Sequence, residues 1–153
     1  MSPAETPRPI PESTDPMTAL VGQRVEIERA VTERDVLAFA ELTGDFSPHH
    51  VDEKFARSTS LGRRIAHGAL LIGYASAAST AIEKRTTQHV VSVGYDHVRF
   101  IRPVFIGDTI VVHYEVTDFD PAKRRTSARI EITNGDGQLV AVATHLLQAW
   151  SGK

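Results

Sequence analysis

Residues 68–85 read GALLIGYASAASTAIEKR, and this stretch decides the fold of the chain. It contains no proline and is rich in alanine, the residue with the highest helix propensity. Lys84 and Arg85 stand at its end, where the helix dipole favours cations. The stretch therefore predicts one helix of about five turns. Because it is apolar or small on nearly all sides as far as Ile82, we expect the helix to be buried and wrapped by other parts of the chain.

The wrapping material follows the helix directly. Four long segments are rich in β-forming residues and alternate in polarity: residues 88–100, 108–119, 123–133 and 138–151. In the second segment every other residue from Ile110 to Val116 is apolar, as on the buried face of a strand. The connections contain proline, glycine, asparagine and aspartate, which are residues of tight turns. We predict an antiparallel meander and, with the helix before it, an α+β fold whose sheet wraps around a long central helix.

The region ahead of the helix contains shorter elements. Residues 23–31 alternate loosely and predict a short strand. Thr32 is placed to cap a following amphipathic helix, and Gly44 is placed to end it. Residues 45–52, DFSPHHVD, then break every periodicity. This stretch predicts a loop loaded with titratable side chains.

Composition bounds the organisation of the chain. Its 153 residues, 41% hydrophobic and 24% charged, are typical of one globular domain. Five of the eight prolines fall within the first 16 residues, so we predict a loose arm over residues 1–17 and a single domain over residues 18–153. No run approaches the ~18 apolar residues of a membrane span, and no secretory signal pattern is present. We expect a cytoplasmic protein with no membrane partner.

Charge and cysteine content narrow the chemistry. The net charge is −2, without the clustered basic residues that nucleic-acid binding requires, so nucleic acid is excluded as a partner. The chain has no cysteine, which excludes disulfides, thiolate metal sites and a cysteine nucleophile. There is no G-x-S-x-G elbow, P-loop or dinucleotide fingerprint. We expect no cofactor.

Three stretches resemble the MaoC-like, R-specific enoyl-CoA hydratases. Residues 45–52, DFSPHHVD, are similar to the D-x-N-P-x-H-x-D hydratase motif of that family, with Ser47 in the place of the asparagine. Residues 65–68, IAHG, resemble the I-A-H-G that follows in the family, and residues 99–108, RFIRPVFIGD, resemble its R-F-x-x-P-V…G-D turn. The first motif is the specific one, whereas the last occurs across hot-dog proteins with other activities. The resemblance implies a hot-dog fold.

The implied reaction interconverts a trans-2-enoyl-CoA with the (R)-3-hydroxyacyl-CoA. Adding water to the double bond needs a group that takes a proton from water and a proton source for the α-carbon. Asp45 and His50 fit that need, because they lie five residues apart on a loop fixed by Pro48 and imidazole titrates near neutral pH. Each alone would more often be an ordinary loop acid or a surface histidine. The complete motif favours catalytic roles for both.

The start of the long helix supplies a third candidate. The first N–H groups of a helix have no internal partner, so the N–H of Gly68 could stabilise the negative charge on the thioester oxygen. A glycine that merely permits a tight turn is the alternative. The resemblance also implies substrate-binding positions at Ser47, at His67 and at Gly73, where many relatives have a serine near the substrate. Ser76, one turn further on, is the candidate that could take the place of that serine. We expect His67 to orient the loop by hydrogen bonding rather than to transfer protons.

Some alternatives stay open. The acidic and histidine residues of the 45–52 stretch could imitate a metal site, but their spacing lacks a supporting second group, so we expect no metal. A hot-dog acyl-CoA thioesterase and a non-catalytic acyl-thioester-binding subunit would share the fold. The sequence leaves open whether the thioester carrier is coenzyme A or acyl carrier protein. The resemblance further implies a homodimer or a higher homo-oligomer.

Overall fold

The computed structural model describes residues 15–150. Residues 1–14, which make up most of the predicted arm, lie outside the described residues, as do residues 151–153. The described chain begins with a short 3-10 helix over Pro16–Leu20, in which Met17 is fully buried. Met17 therefore belongs to the core and not to the predicted arm of residues 1–17.

The described residues form four α-helices and five strands, numbered in chain order. The strands are β1 (Arg24–Ala30), β2 (His89–Phe100), β3 (Thr109–Asp120), β4 (Arg125–Asn134) and β5 (Leu139–Trp150). The helices are α1 (Glu33–Thr43), α2 (Pro48–Val51), α3 (Glu53–Arg57) and α4 (Gly68–Glu83). Every predicted strand is confirmed, and the bounds differ from the predicted ones by at most two residues.

The strands form one antiparallel sheet in the order β1-β3-β4-β5-β2. The predicted meander holds for β3, β4 and β5, but the prediction is wrong for β2, which pairs with β5 at the edge of the sheet. The connection after β2 does not form a hairpin that would place β3 beside β2. The N–H groups of Ile101 and Arg102, just after β2, still donate to the carbonyl of Val140 in β5. It then passes the start of α4, where Phe105 forms a bridge with Ile65.

Helix α4 lies against this sheet and contacts β1, β2 and β3. Two of these strands, β1 and β2, are the two edges of the sheet. The sheet therefore curves around the helix, as predicted. The helix ends at Glu83 rather than Arg85, since Lys84 forms its C-cap. Its buried residues are Leu71, Ala75, Ala78, Ser79 and Ile82. The opposite face consists of small, exposed residues, among them Gly73 and Ser76. The prediction that the helix is buried on all sides is therefore wrong for the single chain.

The segment before α4 is held by local caps. Thr32 and Asp35 form a reciprocal capping box at the start of α1, and Gly44 ends the helix in the left-handed conformation with φ 80°. The predicted loop that follows contains a single helical turn, α2, which begins at Pro48. Asp52 then caps α3 by accepting a hydrogen bond from the Phe55 N–H. Among the described helices, none is both long and apolar enough to cross a membrane.

Candidate active site

His50 stands in α2 with one ring nitrogen committed and the other available. Its Nδ1 lies 2.7 Å from the carbonyl oxygen of Ile65. Since a carbonyl can only accept, the neutral ring carries its proton on Nδ1 and leaves the Nε2 lone pair free. Burial lowers the pKa of His50 below its usual 6.5, against the opposing effects of the Ile65 carbonyl and the charge of Asp45. The ring therefore favours its neutral, proton-accepting form.

His67 is the N-cap residue of α4 and is only 2% exposed. Its Nε2 lies 3.0 Å from the backbone carbonyl oxygen of Asp45. Its ring stacks on that of His50 with centroids 3.8 Å apart, and Phe39 of α1 packs against it at 4.7 Å. Its Nδ1 is buried and has no hydrogen-bond partner among the described residues. His67 thus ties the loop of Asp45 to the start of the long helix.

Asp45 is exposed and directly follows the cap of α1. Its Oδ1 accepts a hydrogen bond from the backbone N–H of Ser47 at 3.2 Å. One donor atom each from Asp45, His50 and His67 lie within 4.8 Å of one another. The fold therefore brings the two residues predicted to be catalytic close together, with a second imidazole beside them.

Two histidines and a carboxylate are also a donor set for divalent transition metals. The two rings, however, are stacked with their planes inclined by only 30°. An imidazole nitrogen binds a metal that lies in the plane of its ring, at about 2 Å from the nitrogen. The planes of two stacked rings do not meet at so short a distance, so one ring would have to rotate before both could bind the same ion. The arrangement suits proton transfer better than ligation, and the absence of a metal stays a prediction.

Gly68 is the first residue of α4, and no described residue accepts a hydrogen bond from its N–H. A Cβ built on Gly68 would lie only 2.5 to 2.7 Å from atoms of the Phe100 ring. Even alanine would therefore force this aromatic ring to move. The glycine allows Phe100 to close over the helix start while the N–H group stays available to a ligand.

His50 and Gly68 line the same cavity, whose volume is about 310 Å³. Its other walls are mostly apolar and include Leu71, Phe100 and Val104. A cavity with apolar walls and a few polar groups at one end is typical of a small-molecule site. The cavity thus presents a neutral imidazole and a helix N–H to an apolar ligand.

The remaining predicted site residues are placed differently. Ser47 contributes its backbone N–H to Asp45. Gly73 and Ser76 lie on the exposed face of α4 and do not line the cavity within one chain. Their substrate-binding roles stay predictions.

Sequence reasoning missed two parts of the site. The carbonyl of Ile65, which fixes the tautomer of His50, belongs to the IAHG stretch, whose resemblance points only to its histidine and glycine. Phe100 belongs to the RF…GD turn, which occurs across hot-dog proteins and so indicates the fold alone. Both signals were present in the sequence, but their roles depend on contacts between distant segments.

Comparison with known proteins gives matches over most of the chain. The pattern of the MaoC like domain matches residues 17–138. The 3-hydroxybutyryl-CoA dehydratase of Methylorubrum extorquens is 34% identical over 117 residues, covering 76% of this chain and 72% of that protein. The (R)-specific enoyl-CoA hydratase of Rhodospirillum rubrum is 34% identical over 112 residues, covering 73% and 76%.

The architecture matches as well. The solved structure of the R-hydratase PhaJ1 from Pseudomonas aeruginosa, in its unliganded form, superposes with a TM-score of 0.73 at 33% identity, covering 90% of this chain and 86% of that one. The hot-dog fold implied by the sequence is confirmed by this likeness and by the curved sheet on α4. The chain belongs to the MaoC-like domain family.

Proposed function

We propose that the chain is an R-specific hydratase that interconverts a trans-2-enoyl thioester with the (R)-3-hydroxyacyl thioester. Relatives at 34% identity carry the names of such hydratases and dehydratases. The observation that carries the proposal is the shared cavity of His50 and Gly68, with the carboxylate of Asp45 beside it. Hydration needs a base, a bound water and a donor for the thioester oxygen, and these groups can supply all three.

In the hydration direction, a water held between Asp45 and His50 loses a proton to this pair. Its oxygen forms a bond to the β-carbon, and the electrons of the double bond move onto the thioester oxygen. The N–H of Gly68 stabilises that negative charge. The enolate then collapses as the proton returns from the pair to the α-carbon, so the balance is one water added and no net proton released. Dehydration is the same sequence in reverse.

His67 acts in this scheme as a positioning residue. It holds the carbonyl of Asp45 and stacks on the ring of His50, so it fixes the distance between the acid and the imidazole. Proton transfer requires its heavy atoms to be within about 3 Å, and small displacements are therefore costly. Its position at the cap of α4 also ties this pair to the N–H of Gly68.

Two rivals share the fold, and one assay separates them. Purified protein is mixed with crotonyl-CoA while the enoyl absorbance and the free thiol are followed together. Loss of absorbance without thiol supports hydration. Release of thiol would support a thioesterase, and no reaction would support a non-catalytic subunit. In the last two cases the proposal is wrong.

The proposal includes a second copy of the chain. Within the described part of the chain, β2 pairs only with β5, so its other edge presents backbone groups that no described strand pairs with. Val91 and Val93 on this strand are each more than 40% exposed. Pairing of two β2 edges would cover these residues and join the two sheets. Light scattering on the purified protein should give at least twice the mass of one chain, and a monomer at assay concentrations would contradict this.

A further inference from the structure

A second cavity adjoins the candidate site. Its volume is about 530 Å³, and it shares Arg102 and Pro103 with the cavity of His50 and Gly68. Its lining also contains Arg63 and the turn that joins β4 to β5. We call this second cavity the arginine groove. A ligand that passes Arg102 and Pro103 could therefore occupy both cavities at once.

Among residues 15–150, no carboxylate pairs with either guanidinium of the groove. Arg63 lies over the ring of Phe105, with its central carbon 4.0 Å from the ring centroid. Arg102 donates one N–H to the carbonyl of Leu139 at 2.7 Å and forms no ion pair with a described residue, and neither does Arg63. The neighbouring Arg64 contrasts with them, because it bridges Glu33 and Glu53. Arg63 and Arg102 therefore keep donors free for an anion.

The groove also contains two carboxylates. Asp108 accepts a hydrogen bond from the Phe105 N–H at 2.9 Å and so serves the turn itself. Asp136 lies exposed in the turn between β4 and β5. With two arginines and two aspartates the lining has no net charge. Recognition of an anion would therefore rest on direct contacts from the guanidinium groups rather than on a broad positive field.

We propose that the arginine groove binds the phosphate groups of a coenzyme A thioester through Arg63 and Arg102. This rests on the proposed function, since the acyl thioester would occupy the cavity of His50 and Gly68. Coenzyme A joins its thioester to a diphosphate and a ribose phosphate through a long, uncharged pantetheine arm. That arm would pass Arg102 and Pro103, and the phosphates would meet the unpaired guanidinium groups. Planar guanidinium groups bind phosphate oxygens in pairs, which gives both strength and orientation.

The test compares two thioesters that share the acyl group and differ in the carrier. Crotonyl-CoA carries the phosphates, whereas crotonyl-N-acetylcysteamine ends before them. Arg63→Gln and Arg102→Gln should each raise KM for crotonyl-CoA by about tenfold, because each removes a charge-assisted contact. The preference for crotonyl-CoA over the short thioester should fall by a similar factor.

Two matched measurements complete the design. Arg34→Gln removes an exposed arginine from α1, which lines neither cavity, and should leave KM for both substrates as in the wild type. Calorimetric titration of free coenzyme A should show weaker binding to Arg63→Gln, with a readout that does not depend on turnover. Added salt should weaken this binding to the wild type more than to the variant.

The outcomes separate the two proposals. A wild type that hydrates neither thioester would overturn the proposed function, while coenzyme A binding would still test the groove. Hydration with an unchanged KM for crotonyl-CoA in both variants would overturn the groove and leave the proposed function standing. An equal rise in KM for both thioesters would also overturn the groove proposal, since the arginines would then act on the cavity of His50 and Gly68 and not on the phosphates. A strong preference for crotonyl-acyl carrier protein over crotonyl-CoA would overturn the proposal that coenzyme A is the carrier.

Discussion

Two histidines of this chain, His145 and His50, place the same type of side chain in two different surroundings. His145 of β5 is completely buried, with Nδ1 2.8 Å from the hydroxyl of Tyr114 and Nε2 2.8 Å from the hydroxyl of Ser92. Its ring also stacks on Tyr95 with centroids 4.3 Å apart. His50 is only half-buried, and one of its two nitrogens has no partner among the described residues.

Burial lowers the pKa of both rings, to about 4 for His145. A lowered pKa therefore does not by itself distinguish a reactive imidazole from a structural one. The difference is the free lone pair of His50 and its access to a cavity. His145 thus has a described partner for each ring nitrogen, whereas His50 keeps one nitrogen without a described partner beside a cavity, as the proposed function requires.

The largest expected effect is on catalysis at the loop. Asp45→Asn and His50→Gln should each lower kcat/KM for crotonyl-CoA by at least about 10²-fold, because each removes a member of the proposed proton-transfer pair. The free energy of unfolding, measured in urea, should change little, since the Asp45 side chain is exposed and that of His50 is only half-buried.

The neighbouring His49 offers a matched control for this prediction. It lies next to His50 in α2 but does not line the cavity. His49→Gln should keep most of the activity. Near-wild-type turnover by His50→Gln, or an equal loss in His49→Gln, would contradict the assigned roles.

The second prediction concerns the buried network. His145→Ala removes the partner of two hydroxyl groups and leaves a cavity beside Tyr95. We expect a loss of about 3 kcal/mol in the free energy of unfolding. Urea denaturation monitored by circular dichroism measures it. A change below the experimental error would show that the network does not stabilise the sheet.

The third prediction is a pH dependence of stability. The folded chain holds the pKa of His145 at about 4, whereas an ordinary histidine titrates near 6.5. Between these values the unfolded chain binds more protons, so the stabilisation is complete above pH 6.5 and is lost as the pH falls towards 4. The wild type should lose about 2 kcal/mol more than His145→Phe between about pH 7.5 and about pH 5. Equal losses in the two proteins would contradict the assignment.

The smallest expected effects, on stability and on kcat/KM, come from substitutions at two glycines of α4. A Cβ on Gly68 meets the ring of Phe100, whereas a Cβ on Gly73 meets nothing within 4 Å. Gly73→Ala should therefore stabilise the helix by about 0.5 to 1 kcal/mol, as expected for alanine in a helix interior. Gly68→Ala should bring no such gain and should lower kcat/KM by about tenfold as the ring shifts over the N–H group. A gain of stability with full activity in Gly68→Ala would contradict the account of this position.

The sequence predicted what depends on local patterns. The caps at Thr32 and Gly44, the alternation of β3 and the start of α4 at Gly68 are all confirmed. Each of these features is determined by residues a few positions apart. The resemblance of the 45–52 stretch to the hydratase motif pointed to Asp45 and His50, which the fold brings close together.

What could not be predicted depends on distant contacts. Nothing local shows that β2 pairs with β5 instead of β3, because the polarity pattern of a strand reports which of its side chains are buried and not which strand lies beside it. The exposure of one face of α4 depends on how far the sheet curves. The stacking of His67 on His50 joins two motifs that are separated in the chain, and no periodicity reports it.

The central claim is that the pair of Asp45 and His50 adds water to one face of an enoyl thioester. The most direct measurement is chiral analysis of the product formed from crotonyl-CoA by the wild type and by His50→Gln. The account predicts (R)-3-hydroxybutyryl-CoA from the wild type and almost none from the variant. The (S) product, unreacted crotonyl-CoA with the wild type, or equal (R) product from both proteins would contradict it.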